Sequence, residues 1–170
     1  MRIFTSKYST EEPFDADELV GKLFGDARQI LRTARNHRPT VVTLFKSAAG
    51  YVAHRHVIVA DEGDEGKDVP SIKPIIDKEW PDAFAMISLI KAKVTGNKKG
   101  HPEGQSLFLV FHSNSENRML YQTFTVAPDK NKGALPVVKM GKLFKTDKAI
   151  DLLGFGDLGS YKLERLPYLG

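Results

Sequence analysis

Two histidines, His54 and His56, flank a single arginine in a segment of β-branched and aromatic residues that runs from Tyr51 to Val59. This composition predicts a β-strand. Because alternate residues of a strand project from the same face, we expect the two imidazoles to lie on one face, roughly 7 Å apart. Two histidines on one face can chelate a divalent metal ion when a third ligand comes from elsewhere in the fold.

The sequence offers three candidates for that third ligand, His112, Asp61 and Glu62. A zinc-water hydrolase would follow from such a site. The alternative is a pair of partly exposed histidines on a sheet face with no metal, and this is the interpretation that we favour. His112 beside Ser113 also has the composition of an ordinary hairpin turn. The sequence therefore predicts no metal ligands, no cofactor and no catalytic residues.

Basic residues are concentrated in the second half of the chain. Residues 91–148 hold 11 Lys and Arg against 4 Asp and Glu, a net charge of +7, within a chain of net charge +4. A basic segment of this kind can contact phosphate or an acidic protein surface, or it can simply solubilise loops between strands. The lysines that we assign to a nucleic-acid-binding surface are Lys91, Lys98, Lys99, Lys130 and Lys132.

Four arginines extend that hypothesis to the first predicted helix. Arg28, Arg32 and Arg35 share a stripe beside its apolar face, and Arg38 follows its end. A row of arginines can contact successive phosphates. The alternative is that cations near a helix C-terminus stabilise the helix dipole and face solvent.

The elements that must position these residues follow from hydrophobic periodicity. A helix is predicted from Asp15, its N-cap, to about Asn36, and a second, buried helix is predicted over residues 82–94. Hairpins are predicted over 41–59 and over the central 106–126. Further strands are predicted near 1–8, 135–144 and 161–166, with a short helix over 146–153. The predicted fold class is α+β, a mainly antiparallel sheet built from two or three β-hairpins with two main helices packed on it.

Length and composition bound the rest. A chain of 170 residues with 41% hydrophobic residues suits a single domain, residues 1–170. The absence of cysteine fits a reducing compartment, and no apolar stretch is long enough to span a bilayer. We therefore expect a cytoplasmic protein without a membrane partner.

The functional prediction is a non-catalytic binding or accessory protein that contacts nucleic acid, or a nucleic-acid–protein complex, through its basic surface. The alternative is a protein–protein interaction or assembly subunit, which would include homo-oligomers. A third hypothesis is a hydrolase built on a metal ion at His54 and His56.

Overall fold

The structure is a computed structural model that describes residues 2–59, 73–92, 104–113, 116–127 and 137–146. The acidic loop with Asp61 and Glu62 lies outside these residues. So do nearly all of the helix predicted over 146–153 and all of the final strand predicted over 161–166.

The first helix, α1, extends over Ala16–Ala34 and confirms the prediction from the sequence. The side chain of Asp15 accepts a hydrogen bond from the backbone N–H of Glu18 at 3.1 Å, which satisfies one of the free donors of the first turn. Arg35 ends the helix in the left-handed conformation, at φ 56°. Leu23, Phe24 and other apolar side chains of one face are buried in the core.

In the described residues, seven antiparallel strands form one sheet in the order β1-β3-β2-β4-β5-β6-β7. A short second helix, α2, precedes β4 in the chain. The remaining elements are β1 Arg2–Thr10, β2 Thr40–Ser47, β3 Gly50–Val59, α2 Lys73–Glu79, β4 Ala83–Ala92, β5 Gly104–Ser113, β6 Asn117–Ala127 and β7 Val137–Thr146.

The prediction of two main helices packed on a sheet is wrong. The second predicted helix, over residues 82–94, is in fact strand β4, the neighbour of β2 and β5. Its apolar residues cover both faces of the sheet, because Phe84 and Met86 are buried on one face and Ala85 on the other. A strand buried on both faces has no polar alternation, so its sequence resembles that of a buried helix.

The two faces of the sheet have different partners. Helix α1 covers one face, where its apolar side chains meet Val42, Leu44 and Leu109 in the main core. On the opposite face, a row of side chains crosses four strands in register. His54 pairs with Thr43, Thr43 with Phe84, and Phe84 with His112. His56 lies on this second face as well. There the Glu79 carboxylate of α2 contacts both His54 and His56.

Strand β1 is fixed against β3 at a close approach that requires glycine. Gly50 begins β3 at φ 146°, and a Cβ atom added there would lie 1.9 Å from the carbonyl oxygen of Thr10. Only glycine avoids this overlap. Nine consecutive residue pairs then join β1 to β3 without a register shift.

Candidate metal centre

Three side chains converge on the face of the sheet opposite α1. They are His54 and His56 from β3 and Glu79 from the end of α2, named here the His–His–Glu cluster. Their ligand atoms all lie within 4.8 Å of one another. His54 Nδ1 is 3.2 Å from Glu79 Oε2, and His56 Nε2 is 2.8 Å from Glu79 Oε1.

The spacing of these atoms is close to what a metal ion requires. Bonds of ~2.0–2.1 Å at tetrahedral angles place neighbouring ligand atoms about 3.4 Å apart. The two nitrogen–oxygen distances, 3.2 Å to Oε2 and 2.8 Å to Oε1, are shorter than that spacing, while all the ligand atoms lie within 4.8 Å of one another. Side-chain rotations that move the ligand atoms by about 1 Å would place all three on one ion.

The backbone at the end of α2 fixes the position of Glu79. Trp80 follows it at φ 53°, a left-handed conformation that a bulky residue rarely adopts. The Trp80 N–H donates to the carbonyl of Ile76 at 2.8 Å, which closes the last turn. Strain of this kind costs about 1–3 kcal/mol and is concentrated at functional sites. Ile76 is buried and anchors the helix.

Hydroxyl groups of two neighbouring strands hold the cluster in place. Thr5 Oγ1 of β1 lies 3.0 Å from His56 Nδ1, the ring nitrogen that faces away from Glu79. Thr43 of β2 donates a short hydrogen bond to Glu79 Oε2. Metal-binding histidines usually have their second ring nitrogen hydrogen-bonded in this way, which fixes the tautomer and the orientation of the ring.

Burial keeps His56 in the form that binds metal. The side chain of His56 is 6% exposed, and this burial lowers its pKa despite the opposing effect of the nearby Glu79 carboxylate. His54 and Lys78 lower the pKa further. A neutral imidazole has a lone pair for a metal ion, whereas an imidazolium has none. The expectation that both histidines are partly exposed is therefore wrong for His56.

The cluster opens to solvent on the side of His54. The side chain of His54 is 27% exposed and that of Glu79 18%, so a small ligand can reach an ion held between them. The ring of Phe45 packs 5.0 Å from the ring of His54 and limits the rotation of that imidazole. Three protein ligands with access for water are typical of catalytic zinc sites, while structural sites use four.

His112, one of the predicted third ligands, does not belong to the cluster. It lies on the same face, but two strands, β2 and β4, separate its strand from β3, which corresponds to about 14 Å at the usual strand spacing. Its Nδ1 atom pairs with Asn117 Oδ1, and its ring packs 5.4 Å from that of Phe84. The other predicted candidates, Asp61 and Glu62, lie outside the described residues.

Glu79 could not be predicted as a ligand because nothing in the sequence connects it to the histidines. It lies 25 residues after His54, and helix propensity alone does not show where α2 meets the sheet. The only local signal is a carboxylate immediately before Trp80-Pro81, where a helix must end. Such a signal identifies a helix end but not the surface that the carboxylate faces.

The arginines assigned to nucleic acid are only partly available for it. The guanidinium of Arg28 lies 5.3 Å from the centre of the Phe24 ring, and Arg35 donates to the carbonyl of Thr33 at 3.1 Å. Arg32 and Arg38 are exposed.

Most of the predicted lysine surface lies outside the described residues. Lys91 lies in β4, where only its backbone is described. Lys98, Lys99, Lys130 and Lys132 fall in undescribed segments. Nucleic-acid binding therefore remains a prediction from charge. The cytoplasmic location also remains a prediction, from the cysteine content and the hydropathy of the sequence.

The length and hydropathy of the helices bear on whether the chain can cross a membrane. In the part of the chain that the structure describes, no helix is long and apolar enough to cross a membrane.

Comparison of the chain with protein-family models, with curated proteins and with solved structures found no match.

Proposed function

We propose that the protein binds a divalent transition-metal ion, of the zinc type, through His54, His56 and Glu79. The observation that carries this proposal is the convergence of two imidazoles and one carboxylate from separate elements, with all ligand atoms within 4.8 Å. Two imidazoles and a carboxylate are a ligand set that suits zinc and neighbouring first-row metals.

The hydrogen bonds around the cluster support metal binding through the tautomer that they allow. In the metal-bound form His56 Nε2 gives its lone pair to the ion, so the ring proton lies on Nδ1 and donates to Thr5 Oγ1. Without metal, the Nε2 proton donates to Glu79 and Thr5 donates to Nδ1. Both arrangements pair the two ring nitrogens of His56, since the threonine hydroxyl can donate or accept at 3.0 Å. His56 can thus gain or lose an ion without leaving either ring nitrogen unpaired.

Three protein ligands would leave a position for water on a bound zinc ion, and the exposed edge at His54 would leave that position open to solvent. A zinc ion lowers the pKa of bound water to about 7 and so supplies hydroxide at neutral pH. The activity that we propose for the site is therefore hydrolysis by metal-bound water. The buried His56 and the half-buried Glu79 and His54 would hold the ion, with the more exposed His54 at the rim of the site.

Isothermal titration of tag-free, chelator-treated protein with Zn²⁺ tests this proposal. We expect one ion per chain in the wild type and no binding at that site in the double variant His54→Gln/His56→Gln. The matched control is His112→Gln, which removes an imidazole from the same sheet face and should leave binding unchanged. No binding by the wild type, or equal loss in the control, would exclude the proposed site.

A further inference from the structure

Among the described strands, β1 and β7 are the outer ones, and they differ in how well they are protected from association. Strand β7 carries three exposed lysines, and a register shift interrupts its pairing with β6 between Gln122 and Phe124. Lysines and irregular pairing are the usual means by which proteins prevent edge strands from pairing with other chains. The three lysines are Lys139, Lys142 and Lys145.

Strand β1 also carries two exposed cations, Arg2 and Lys7, but it has no irregularity in its pairing. It pairs with β3 through nine consecutive residues without a shift, and residues 2–9 are all exposed. Its exposed side chains include Phe4 at 56%, Ile3 at 44% and Tyr8 at 36%. A long, regular edge strand with exposed aromatic residues is a site of strand addition.

We propose that β1 pairs antiparallel with β1 of a second copy of this chain, about a two-fold axis at Ser6. A two-fold axis perpendicular to the sheet keeps each side chain on its own face, so residues whose numbers sum to 12 lie opposite each other. Phe4 of each copy then faces Tyr8 of the other, which makes two aromatic cross-strand pairs. These residues lie on the α1 side of the sheet, in register with Val57 and Ala53.

Charge favours this register over its neighbour. In the register centred on Ser6, the cations Arg2 and Lys7 lie opposite Thr10 and Thr5, so no two cations face each other and none faces an apolar side chain. A two-fold axis at Thr5 instead places Lys7 opposite Ile3 and separates Phe4 from Tyr8. The protected β7 edge also explains why such pairing would close as a dimer and would not extend into a filament.

Sedimentation velocity from 1 to 200 µM, in the presence of chelator, tests the dimer independently of the metal site. We expect a concentration-dependent dimer for the wild type. Ser6→Lys places two like charges at the axis and should weaken association at least tenfold. The matched control, Ser47→Lys, adds the same charge at an exposed position on β2, an interior strand, and should not.

Cross-linking tests the register itself, because the chain has no cysteine. Residues opposite each other in antiparallel strands have Cα atoms about 4.5–5.5 Å apart, within the range for a disulfide. Mild oxidation should therefore convert Ser6→Cys rapidly to a covalent dimer, and the control Ser47→Cys much more slowly. A wild type that is monomeric throughout, a dimer that Ser6→Lys does not weaken, or equal cross-linking of the two cysteine variants would overturn the proposal.

Discussion

Two histidine clusters share one face of the sheet, and within the described residues only one of them has three side chains that could hold a metal ion. The His–His–Glu cluster combines two imidazoles of β3 with a carboxylate that α2 brings from outside the sheet. At His112, Nδ1 pairs with Asn117 Oδ1 on the adjacent strand, and the ring packs against that of Phe84. Among the described residues, His112 is not part of a group of three side chains that could hold a metal ion.

The difference shows that the sheet by itself does not make the proposed site. Residues that pair directly across the sheet bring His54, Thr43, Phe84 and His112 into one row. What distinguishes the two ends of that row is Glu79, whose position depends on the left-handed Trp80 and on the buried Ile76. The comparison therefore predicts that Glu79 is the most sensitive residue of the site.

The largest expected effect follows from replacing that carboxylate. Glu79→Gln keeps the size of the side chain but removes its charge, and we expect zinc affinity to fall about 1,000-fold, or ~4 kcal/mol. This loss exceeds the 10–100-fold effect typical of residues that only support a ligand. Competition with a chromophoric chelator measures it. The control Asn117→Ala alters the His112 cluster and should change zinc affinity less than twofold; equal losses in the two variants would remove the distinction between the clusters.

A third buried histidine, His37, extends the comparison to pH. Burial lowers its pKa to about 4, and its Nε2 atom has no hydrogen-bond partner within the described ranges. The folded state therefore binds fewer protons than the unfolded state, where the pKa is about 6.5. The resulting stabilisation is fully present above pH 6.5 and is lost as the pH falls towards 4, a change of about 3 kcal/mol at most.

Chelator-treated His37→Asn tests this linkage by urea unfolding between pH 8 and pH 4. The free energy of unfolding of the variant should decline less steeply than that of the wild type. His56 contributes a decline of the same sign, since burial also lowers its pKa, so the difference between the two proteins isolates His37. Parallel curves would show that His37 does not remain neutral in the folded protein.

In the described part of the chain, β1 contacts the His–His–Glu cluster through Thr5, so a change that displaces β1 should weaken that cluster. Gly50→Ala introduces a Cβ atom into the carbonyl of Thr10, and we expect it to lower the free energy of unfolding by about 2–3 kcal/mol and to weaken zinc binding. Gly21→Ala is the control, because Gly21 is an exposed α1 residue with nothing within 4 Å of its added Cβ. It should stabilise the protein by about 0.5–1 kcal/mol. Unchanged stability in Gly50→Ala would argue against the close approach at Gly50.

The smallest effect is expected at the threonine behind His56. Thr5→Val keeps the shape of the side chain but removes the hydroxyl that bonds Nδ1, and zinc affinity should fall about 10–100-fold. Thr5→Ser restores the hydroxyl and should recover most of that loss. Unchanged affinity in Thr5→Val would mean that the hydrogen bond does not orient the imidazole for metal.

Part of this structure could be predicted from local sequence. The cap at Asp15, the periodicity of α1 and the β-branched residues of β2 and β3 are all local signals, and these elements are found where they were predicted. Strand β4 was mistaken for a helix because burial of both its faces removes the alternation that identifies a strand.

Two of the three proposed ligands of the site could be identified from the sequence, and the third could not. Alternation along β3 placed His54 and His56 on one face, as the structure shows, but the third ligand depends on a tertiary contact across 25 residues. No periodicity in the sequence encodes how α2 lies on the sheet. His112 was a reasonable candidate by residue type, and the sheet order β3-β2-β4-β5 is what separates it from the pair.

The most direct test is a crystal structure of the zinc-soaked protein with anomalous data collected at the zinc edge. The account predicts one strong anomalous peak about 2.0–2.2 Å from His54 Nδ1, His56 Nε2 and a carboxylate oxygen of Glu79. It also predicts no comparable peak at His112. A peak elsewhere, or a cluster that keeps its histidine–glutamate hydrogen bonds with no peak between them, would contradict the proposed metal centre.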